Sequence, residues 1–336
     1  MVTSCSPVSA PAAMRVHFSV PPQVRAELIN AMFMNDNVMT SGEYSKERRR
    51  AFFRSSVALL LLLALYPFTG MFLMALFAPE SVGMGREEFL GPEMAGKIRL
   101  VQIVGQLLVL AAPAWFLARY QPALGGLGLG GAVPWRDVGL AVLAVTLLQP
   151  FLFTFMELIA MALERMGPFG RGLLDGQEAL EEFLLFLTRW NGPFEFLFVV
   201  VMIAVVPALT EELFFRGYVQ RSYAMAIGPL PALLVTGVVF AMFHMSPVNF
   251  LPLMLMGWFL GWVLWKSGHL LVAIAVHFSN NFMSLLWIEY ERSHSGLGEF
   301  DGADVLATFW WWPLLLGTLL GFVVVMRAFG NRGKVG

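Results

Sequence analysis

The chain contains 336 residues, of which 58% are hydrophobic and 13% charged, and its mean hydropathy of +0.70 indicates an integral membrane protein rather than a soluble one. Its formal net charge of -1 gives no reason to expect a nucleic-acid partner. The only cysteine, Cys5, excludes an internal disulfide, a CxxC metal site and a buried catalytic thiol.

The N-terminal segment is polar and basic. It contains no apolar core of the kind that a secretory signal has, and the first long apolar run follows the sequence "KERRR" at 46–50. Basic residues next to a transmembrane helix favour the cytoplasmic side of the membrane. We therefore expect residues 1–54 to form a cytoplasmic arm.

Eight apolar stretches follow, and a bilayer core needs about twenty apolar helical residues. The predicted spans are 55–78, 99–118, 138–163, 193–215, 230–246, 248–265, 269–289 and 304–327. The fifth and sixth are short, with Pro247 between them and Pro252 inside the sixth, so we expect a tight helical hairpin that does not cross the whole bilayer. The predicted fold is all-α, a polytopic bundle of about eight transmembrane helices.

Charges in the connections orient this bundle. Arg119, Arg136 and the residues around Arg221 lie in connections on one predicted side, together with the basic N-terminal arm and tail. The sequences "GREEFLGPE" and "DGQEALEEF" on the other side are acidic, so we expect both termini in the cytoplasm. The amphipathic segment within 167–190 is predicted to be a helix on the outer surface rather than a ninth span.

A glycine-rich sequence, "GLGLGG" at 126–131, formally matches the dinucleotide-binding pattern GxGxxG. It neither follows a predicted strand nor opens a βαβ unit, so we interpret it as a connection between spans. It supports no cofactor.

Charged residues continue the fourth span in the sequence "EELFFRG". Glu212 and Arg216 are four residues apart on one helix face, in the favourable order for an ion pair. Glu211 lies about 100° around the helix and faces a different neighbour. A charge at the centre of a span costs about 2.5–3.5 kcal/mol, which suggests a function for Glu211. The alternative is that all three residues mark a cytoplasmic helix end, where charges cost little.

Two histidines lie in apolar helices. His244 is four residues after Phe240, and His277 is four residues before Asn281 on the seventh span. A single histidine in a bundle is more often a hydrogen-bonded packing residue than a catalyst. Two histidines, an asparagine and Glu211 each need a polar partner in lipid, so we expect them to face one another in a polar intramembrane cavity.

The depth of these residues conflicts with straight spans of the predicted length. A straight fifth span would place His244 about 21 Å in depth from the cytoplasmic end of the fourth span. Either the fourth helix continues beyond Arg216, or the fifth and sixth segments are short and tilted. We expect the first, because the sequence "ELFFRGYVQRSYAMA" contains one glycine and no proline. The arginines near Glu211 lead us to expect a site in the cytoplasmic half, reached by water from that side.

The chemistry of such a cluster is that of hydrolysis or metal binding. A carboxylate and an imidazole can deprotonate a water molecule, while a second imidazole and an amide N–H stabilise an oxyanion. Glu211, His244 and His277 could equally be three zinc ligands with an open fourth position. The motifs HExxH and GxSxG are absent and the central spans contain no aspartate, so other hydrolase chemistries fit less well.

Three motifs occur in order on successive predicted helices. They are EExxxR in "EELFFR", FxxxH in "FAMFH" and HxxxN in "HFSNN". Together they resemble the CAAX protease and bacteriocin-processing family of membrane proteins, to which the eukaryotic CAAX prenyl endopeptidases belong. The resemblance covers about residues 136–290, which we interpret as a CAAX-protease-like catalytic core. Residues 55–135 would hold the first two spans and their connection, and 291–336 the last span and a cytoplasmic tail.

The resemblance implies a role for each residue of the motifs. Glu211 and His244 would activate the attacking water, and His277 and Asn281 would form the oxyanion hole. The supporting residues would be Glu212, Arg216 and Phe240. The resemblance favours a mechanism without metal, so zinc ranks second, and it implies no other cofactor.

The predicted function is therefore that of an intramembrane endopeptidase in a bacterial plasma membrane. Its partners would be the lipid bilayer and a protein or peptide substrate with a membrane-embedded or lipidated segment, with a role in C-terminal processing or sorting. Two alternatives use the same polar cluster. One is a transporter or membrane chaperone that binds an ion or relays protons, and the other is an inactive family member that acts as an immunity factor.

Overall fold

The computed structural model describes residues 41–294 and 302–330, and all regular structure in these ranges is helical. The long helices are α1 (Ser41–Phe77), α2 (Pro92–Arg119), α3 (Trp135–Glu164), α4 (Pro168–Leu187), α5 (Pro193–Ile227), α6 (Pro229–Phe243), α7 (Phe250–Ser267), α8 (Leu270–His294) and α9 (Trp311–Gly330). Shorter helical turns are Pro79–Ser81, Arg86–Phe89, Pro122–Leu124 and Gly302–Ala307. The all-α prediction is confirmed for the described ranges.

Seven helices in the described part of the chain are long and apolar enough to cross a membrane, namely all the long helices except α4 and α6. The chain is thus a polytopic membrane protein, as predicted. The fifth predicted span is short, as expected, because α6 has 15 residues and a length of about 22 Å, whereas a bilayer core measures about 30 Å. The amphipathic segment forms α4, which is not among the seven.

Parts of the predicted terminal segments lie outside the described residues. They are 1–40, which include Cys5 and most of the expected arm, and the end of the tail at 331–336. The last part of the expected arm is helical, because α1 begins at Ser41 and runs into the first span without interruption.

Helix α5 is much longer than the predicted span 193–215. It runs for 35 residues from Pro193 to Ile227, roughly 50 Å, so the helix continues beyond Arg216 as expected from the sequence that follows it. The same helix therefore carries the apolar span and the charged motif. This continuity places the charged motif near the middle of the helix rather than at its end.

Prolines in two spans are accommodated by π-helical turns. In α2 the π-helical turn Leu107–Ala111 ends two residues before Pro113, and in α5 the π-helical turn Val201–Val205 ends two residues before Pro207. Proline has no N–H and its ring clashes with the carbonyl four residues earlier. An extra residue in the preceding turn relieves this clash, so both helices continue past their prolines.

Helices α6 and α7 pack as a hairpin, as predicted, although α7 is long and apolar enough to cross a membrane. Their close contact depends on two glycines. A Cβ atom on Gly257 would lie 2.8 Å from the Cα atom of Gly237. Only glycine permits backbones to approach this closely, as is common where helices pack in membranes. The two helices therefore pack closely, and the loop 244–249 that connects them lies at one end of the pair.

Helix α4 is attached to the bundle near its middle and at its C-terminal end. Ser246 donates a hydrogen bond to Gln177 at 2.7 Å, which joins the hairpin loop to the middle of α4. Arg99 of α2 donates to the carbonyl of Leu187 at 2.9 Å, and Arg292 of α8 donates to the carbonyl of Thr188 at 3.2 Å. These arginines satisfy backbone carbonyls at the end of α4 that have no helical donor.

Candidate active site

The site is built around the middle of α5. Glu211 lies about 27 Å along the helix from Pro193 and about 24 Å from Ile227. A second, longer π-helical stretch, Glu212–Gln220, begins at the next residue. Both glutamates are buried, Glu211 with 6% and Glu212 with 0% of its surface exposed. Buried carboxylates in a membrane helix need polar surroundings, and the surroundings of these two carboxylates differ.

Glu212 forms the predicted ion pair with Arg216. The guanidinium Nη1 donates to Glu212 Oε1 at 2.8 Å, and both side chains are fully buried. Arg216 also donates to the carbonyl of Gly257 at 3.2 Å and lies 4.2 Å from the centroid of the Phe240 ring, a cation–π contact. Arg216 therefore connects α5 to both helices of the hairpin.

His277 of α8 is held by the same carboxylate. Its Nδ1 donates to Glu212 Oε1 at 2.8 Å, and the imidazole is 5% exposed. Because Nδ1 carries the hydrogen in this bond, the ring presents Nε2 on its opposite side. That Nε2 lies 3.9 Å from Glu211 Oε2.

His244 follows the last residue of α6 and is oriented in the same way. Its Nδ1 donates to the carbonyl of Phe240 at 2.8 Å, a carbonyl of the last helical turn. Its Nε2 lies 3.9 Å from the same oxygen, Glu211 Oε2, and its side chain is 29% exposed. The Phe240 ring packs against both imidazoles, with centroid distances of 4.7 Å to His244 and 5.8 Å to His277.

Glu211 Oε2 is thus the point at which the two imidazoles converge. It is buried and has no direct hydrogen-bond partner among the described residues. The separations of 3.9 Å are too long for direct hydrogen bonds, but one water molecule can bond to two such atoms at about 2.8 Å each. A buried polar atom without a direct partner is uncommon and calls for an explanation. An explanation that fits the chemistry is that Glu211 Oε2 activates a water molecule.

Asn281 has a different environment. Its Nδ2 donates to the carbonyl of Ile203 in α5 at 3.1 Å, and its Oδ1 accepts from Asn280 at 3.3 Å. Ile203 lies in the π-helical turn that precedes Pro207 in α5. The structure therefore brings Glu211, His244 and His277 together, whereas the hydrogen bonds of Asn281 within the described ranges go to Ile203 and Asn280.

Several polar residues near the site come from the first two spans and were not predicted. Thr210 donates to Gln106 Oε1 at 3.0 Å in the buried interior. Tyr66 packs edge-on against Phe243 at a centroid distance of 4.9 Å. In the sequence, these residues stand out as a tyrosine and a glutamine inside otherwise apolar spans.

Zinc does not fit this arrangement closely. No group of three or more His, Cys, Asp or Glu side chains in the described ranges is arranged to hold a metal ion. The candidate donors are Glu211 Oε2 and the Nε2 atoms of His244 and His277. Each nitrogen is 3.9 Å from the oxygen, whereas tetrahedral zinc ligands at about 2.0–2.1 Å would be about 3.3 Å apart.

A groove opens beside His244. It has a volume of about 400 Å³ and is lined by Ala241, Met242, Met245, Ser246, Pro247 and Phe250. Met245 is 77% exposed, and its φ of 49° lies in the left-handed region, which is uncommon for residues other than glycine. The residues on either side of His244 in the sequence thus form an apolar surface of a size that could receive a peptide.

Comparisons with known proteins identify one family. Residues 193–283 match the model of the family described as Type II CAAX prenyl endopeptidase Rce1-like. Neither the comparison with curated proteins nor that with solved structures finds a match. The matched range contains all three sequence motifs, together with α5, the hairpin and the first part of α8. The predicted resemblance is therefore confirmed over residues 193–283, where this chain is similar to the Rce1-like type II CAAX prenyl endopeptidases.

Proposed function

We propose that the chain is an intramembrane endopeptidase in which Glu211 and His244 activate the water that attacks a peptide bond. The observation that carries the proposal is the convergence of two imidazole Nε2 atoms on one buried carboxylate oxygen, each at 3.9 Å. Both Nδ1 atoms are held by acceptors, so both rings present Nε2 to the same point. The match to a family of prenyl endopeptidases supports the reaction class.

The reaction would proceed by general base catalysis. Glu211 Oε2 takes a proton from water while the water oxygen forms a bond to the scissile carbonyl carbon. The C–N bond then breaks, and the proton passes to the leaving nitrogen. The carbonyl oxygen carries negative charge in the intermediate, and donors aimed at that charge would lower the barrier.

The surroundings of the two histidines differ, and this difference supports different roles. His244 is 29% exposed and its Nε2 lies 3.9 Å from Glu211 Oε2, so we assign it to proton transfer with Glu211. His277 is 5% exposed and is held by Glu212, so we assign it with Asn281 to the oxyanion. In this role Nε2 of His277 donates to the oxyanion while Nδ1 donates to Glu212. Both ring nitrogens then carry a hydrogen, so the imidazole is doubly protonated.

The substrate class follows from the location of the site. A carboxylate near the middle of a 35-residue apolar helix can reach only a peptide that enters or borders the membrane. A protein with a membrane-embedded or lipidated segment meets this requirement, and the groove beside His244 offers it apolar surface. We propose a role in C-terminal processing or sorting in a bacterial plasma membrane. Both termini of the enzyme would lie in the cytoplasm, with six of the seven long apolar helices in the described ranges crossing the membrane and the hairpin of α6 and α7 entering and leaving on one side.

Comparison of protein termini in whole membranes tests the proposal and identifies the substrate at the same time. Membranes from cells that produce the native chain, the Glu211→Gln variant or the Glu87→Gln control would be compared for newly formed C-termini. Glu87 is exposed and lies on a short helix outside the site, so its variant should behave like the native chain.

We expect cleavage products with the native chain and the control, and none with Glu211→Gln at equal abundance. The same set of termini in all three membranes would refute the proposal.

A further inference from the structure

Three side-chain amides form a continuous chain of hydrogen bonds from α3 to α5. Gln149 Nε2 of α3 donates to Asn280 Oδ1 of α8 at 3.2 Å. Asn280 Nδ2 donates to Asn281 Oδ1 at 3.3 Å, and Asn281 Nδ2 donates to the carbonyl of Ile203 at 3.1 Å. Every bond runs in the same direction, from Gln149 toward α5.

Both ends of this chain are fixed. At the start, Gln149 also donates to the carbonyl of Val145 at 3.0 Å, so two contacts define the plane of its amide. At the end, the acceptor is the carbonyl of Ile203, which lies in the π-helical turn that precedes Pro207. The orientation of each amide is therefore determined by neighbours on both sides.

The chain leaves Asn281 with one further donor. An asparagine side chain has two N–H groups and one carbonyl oxygen. The carbonyl oxygen of Asn281 accepts from Asn280, and one N–H donates to Ile203. The direction of the second N–H is fixed by these two bonds, because the amide is planar.

We infer that Gln149 and Asn280 are positioning residues that orient the amide of Asn281 for the oxyanion. Aligned hydrogen bonds polarise one another, so the chain would also strengthen the remaining N–H as a donor. The inference rests on the proposed function, in which Asn281 donates to the oxyanion. Gln149 lies outside residues 193–283, so the family match assigns it no role.

Two double-mutant cycles test the inference with the full-length protein. The variants are Gln149→Met, Asn281→Ala and both together, with Thr146→Val as a control on α3. Thr146 is exposed and bonds only within its own helix in the described ranges, to Val142. The first cycle measures thermal unfolding in detergent, which requires no substrate. The second measures turnover of a peptide that spans a cleavage site found by the comparison of membranes.

We expect Gln149→Met to lower kcat roughly tenfold with KM unchanged, less than the 100- to 1,000-fold cost of losing a whole oxyanion donor. In the Asn281→Ala background the same change should have almost no further effect, in either cycle. Thr146→Val should leave kcat unchanged.

Additive effects on unfolding would show that the amides are not coupled and would overturn the inference, whatever the activity. If the two substitutions have coupled effects on unfolding but additive effects on kcat, then Gln149 has only a structural role. That result would overturn the inference as well. If the proposed function itself is wrong, the Glu211→Gln variant will cleave normally. That result is distinct from a failure of the inference about Gln149 and Asn280.

Discussion

Adjacent glutamates in α5 have different environments, and this difference defines the site at the scale of single residues. Glu212 Oε1 accepts hydrogen bonds from Arg216 and from His277, both at 2.8 Å. Glu211 Oε2 has no direct partner among the described residues and faces two imidazoles. One carboxylate therefore stabilises the structure, and the other is available for chemistry.

Substitution of each glutamate by glutamine should separate these roles. Glu211→Gln should abolish turnover and leave the protein folded, because the altered oxygen makes no direct hydrogen bond in the described structure. Glu212→Gln should destabilise the fold by about 3–5 kcal/mol, because it leaves the buried charge of Arg216 uncompensated, and should reduce activity only in part. Chemical unfolding and cleavage assays measure both effects. Complete loss of activity in both variants with unchanged stability would contradict this division.

The sequence predicts the residue contacts within a helix better than those between helices. The pair Glu212 and Arg216 follows from a spacing of four residues on one helix. The bond between Glu212 and His277 joins residues 65 positions apart, and no spacing rule connects them. The sequence therefore identified His277 as a polar residue in need of a partner and did not identify the partner.

Close packing of the hairpin controls the site at the scale of helices. The Cα of Gly237 lies against Gly257, and the carbonyl of Gly257 accepts from Arg216 at 3.2 Å. The same arginine contacts the Phe240 ring, which packs against both histidines. The separation of α6 from α7 therefore affects the positions of Arg216 and the imidazoles together.

Gly257→Ala should weaken this packing. A methyl group at this position would be 2.8 Å from the backbone of Gly237, which cannot move aside as a side chain can. We expect a loss of about 1–3 kcal/mol in the free energy of unfolding and reduced turnover. The control is Gly317→Ala in α9, where an added Cβ meets no atom within 4 Å. Equal stability of the two variants in chemical unfolding would show that the glycine contact is unimportant.

Helix boundaries show where sequence patterns lose information. The apolar span ends at 215, just before the first arginine, and only the lack of proline in the sequence that follows indicated that the helix continues. Likewise, Pro113 and Pro207 predict local disruption of a helix, but the π-helical turns before them depend on packing against neighbouring helices. The number and order of the helices follow from apolar length, which is the strongest signal in a membrane protein.

The relation between α4 and the site determines access to it at the scale of the whole molecule. Ser246, two residues after His244, is bonded to Gln177 of α4, so the groove beside His244 adjoins this amphipathic helix. If α4 lies on the outer side, as the acidic connections predict, the groove opens toward the outer side. This differs from the cytoplasmic opening that we expected from the arginines near Glu211. The arginine positions indicate the orientation of α5, whereas the contact with α4 indicates toward which side the groove opens.

Labelling of single cysteines by an impermeant reagent tests this arrangement in the intact membrane. The cysteines would be introduced at Ala132, Ala179 and Met245 in a chain with Cys5→Ser. All three positions are exposed, and α3 separates Ala132 from Ala179 by one crossing. Ala132→Cys and Ala179→Cys should therefore react from opposite sides.

Met245→Cys should react from the same side as Ala179→Cys, because the loop that contains it is bonded to α4 and Met245 is 77% exposed. Its reaction from the side of Ala132 would restore the cytoplasmic opening and show that α4 does not cover the entrance. If Ala132→Cys and Ala179→Cys reacted from the same side, α3 would not cross the membrane, contrary to our expectation. Protection of Met245→Cys from both sides would mean that water does not reach the groove, which would contradict entry of the hydrolytic water beside His244.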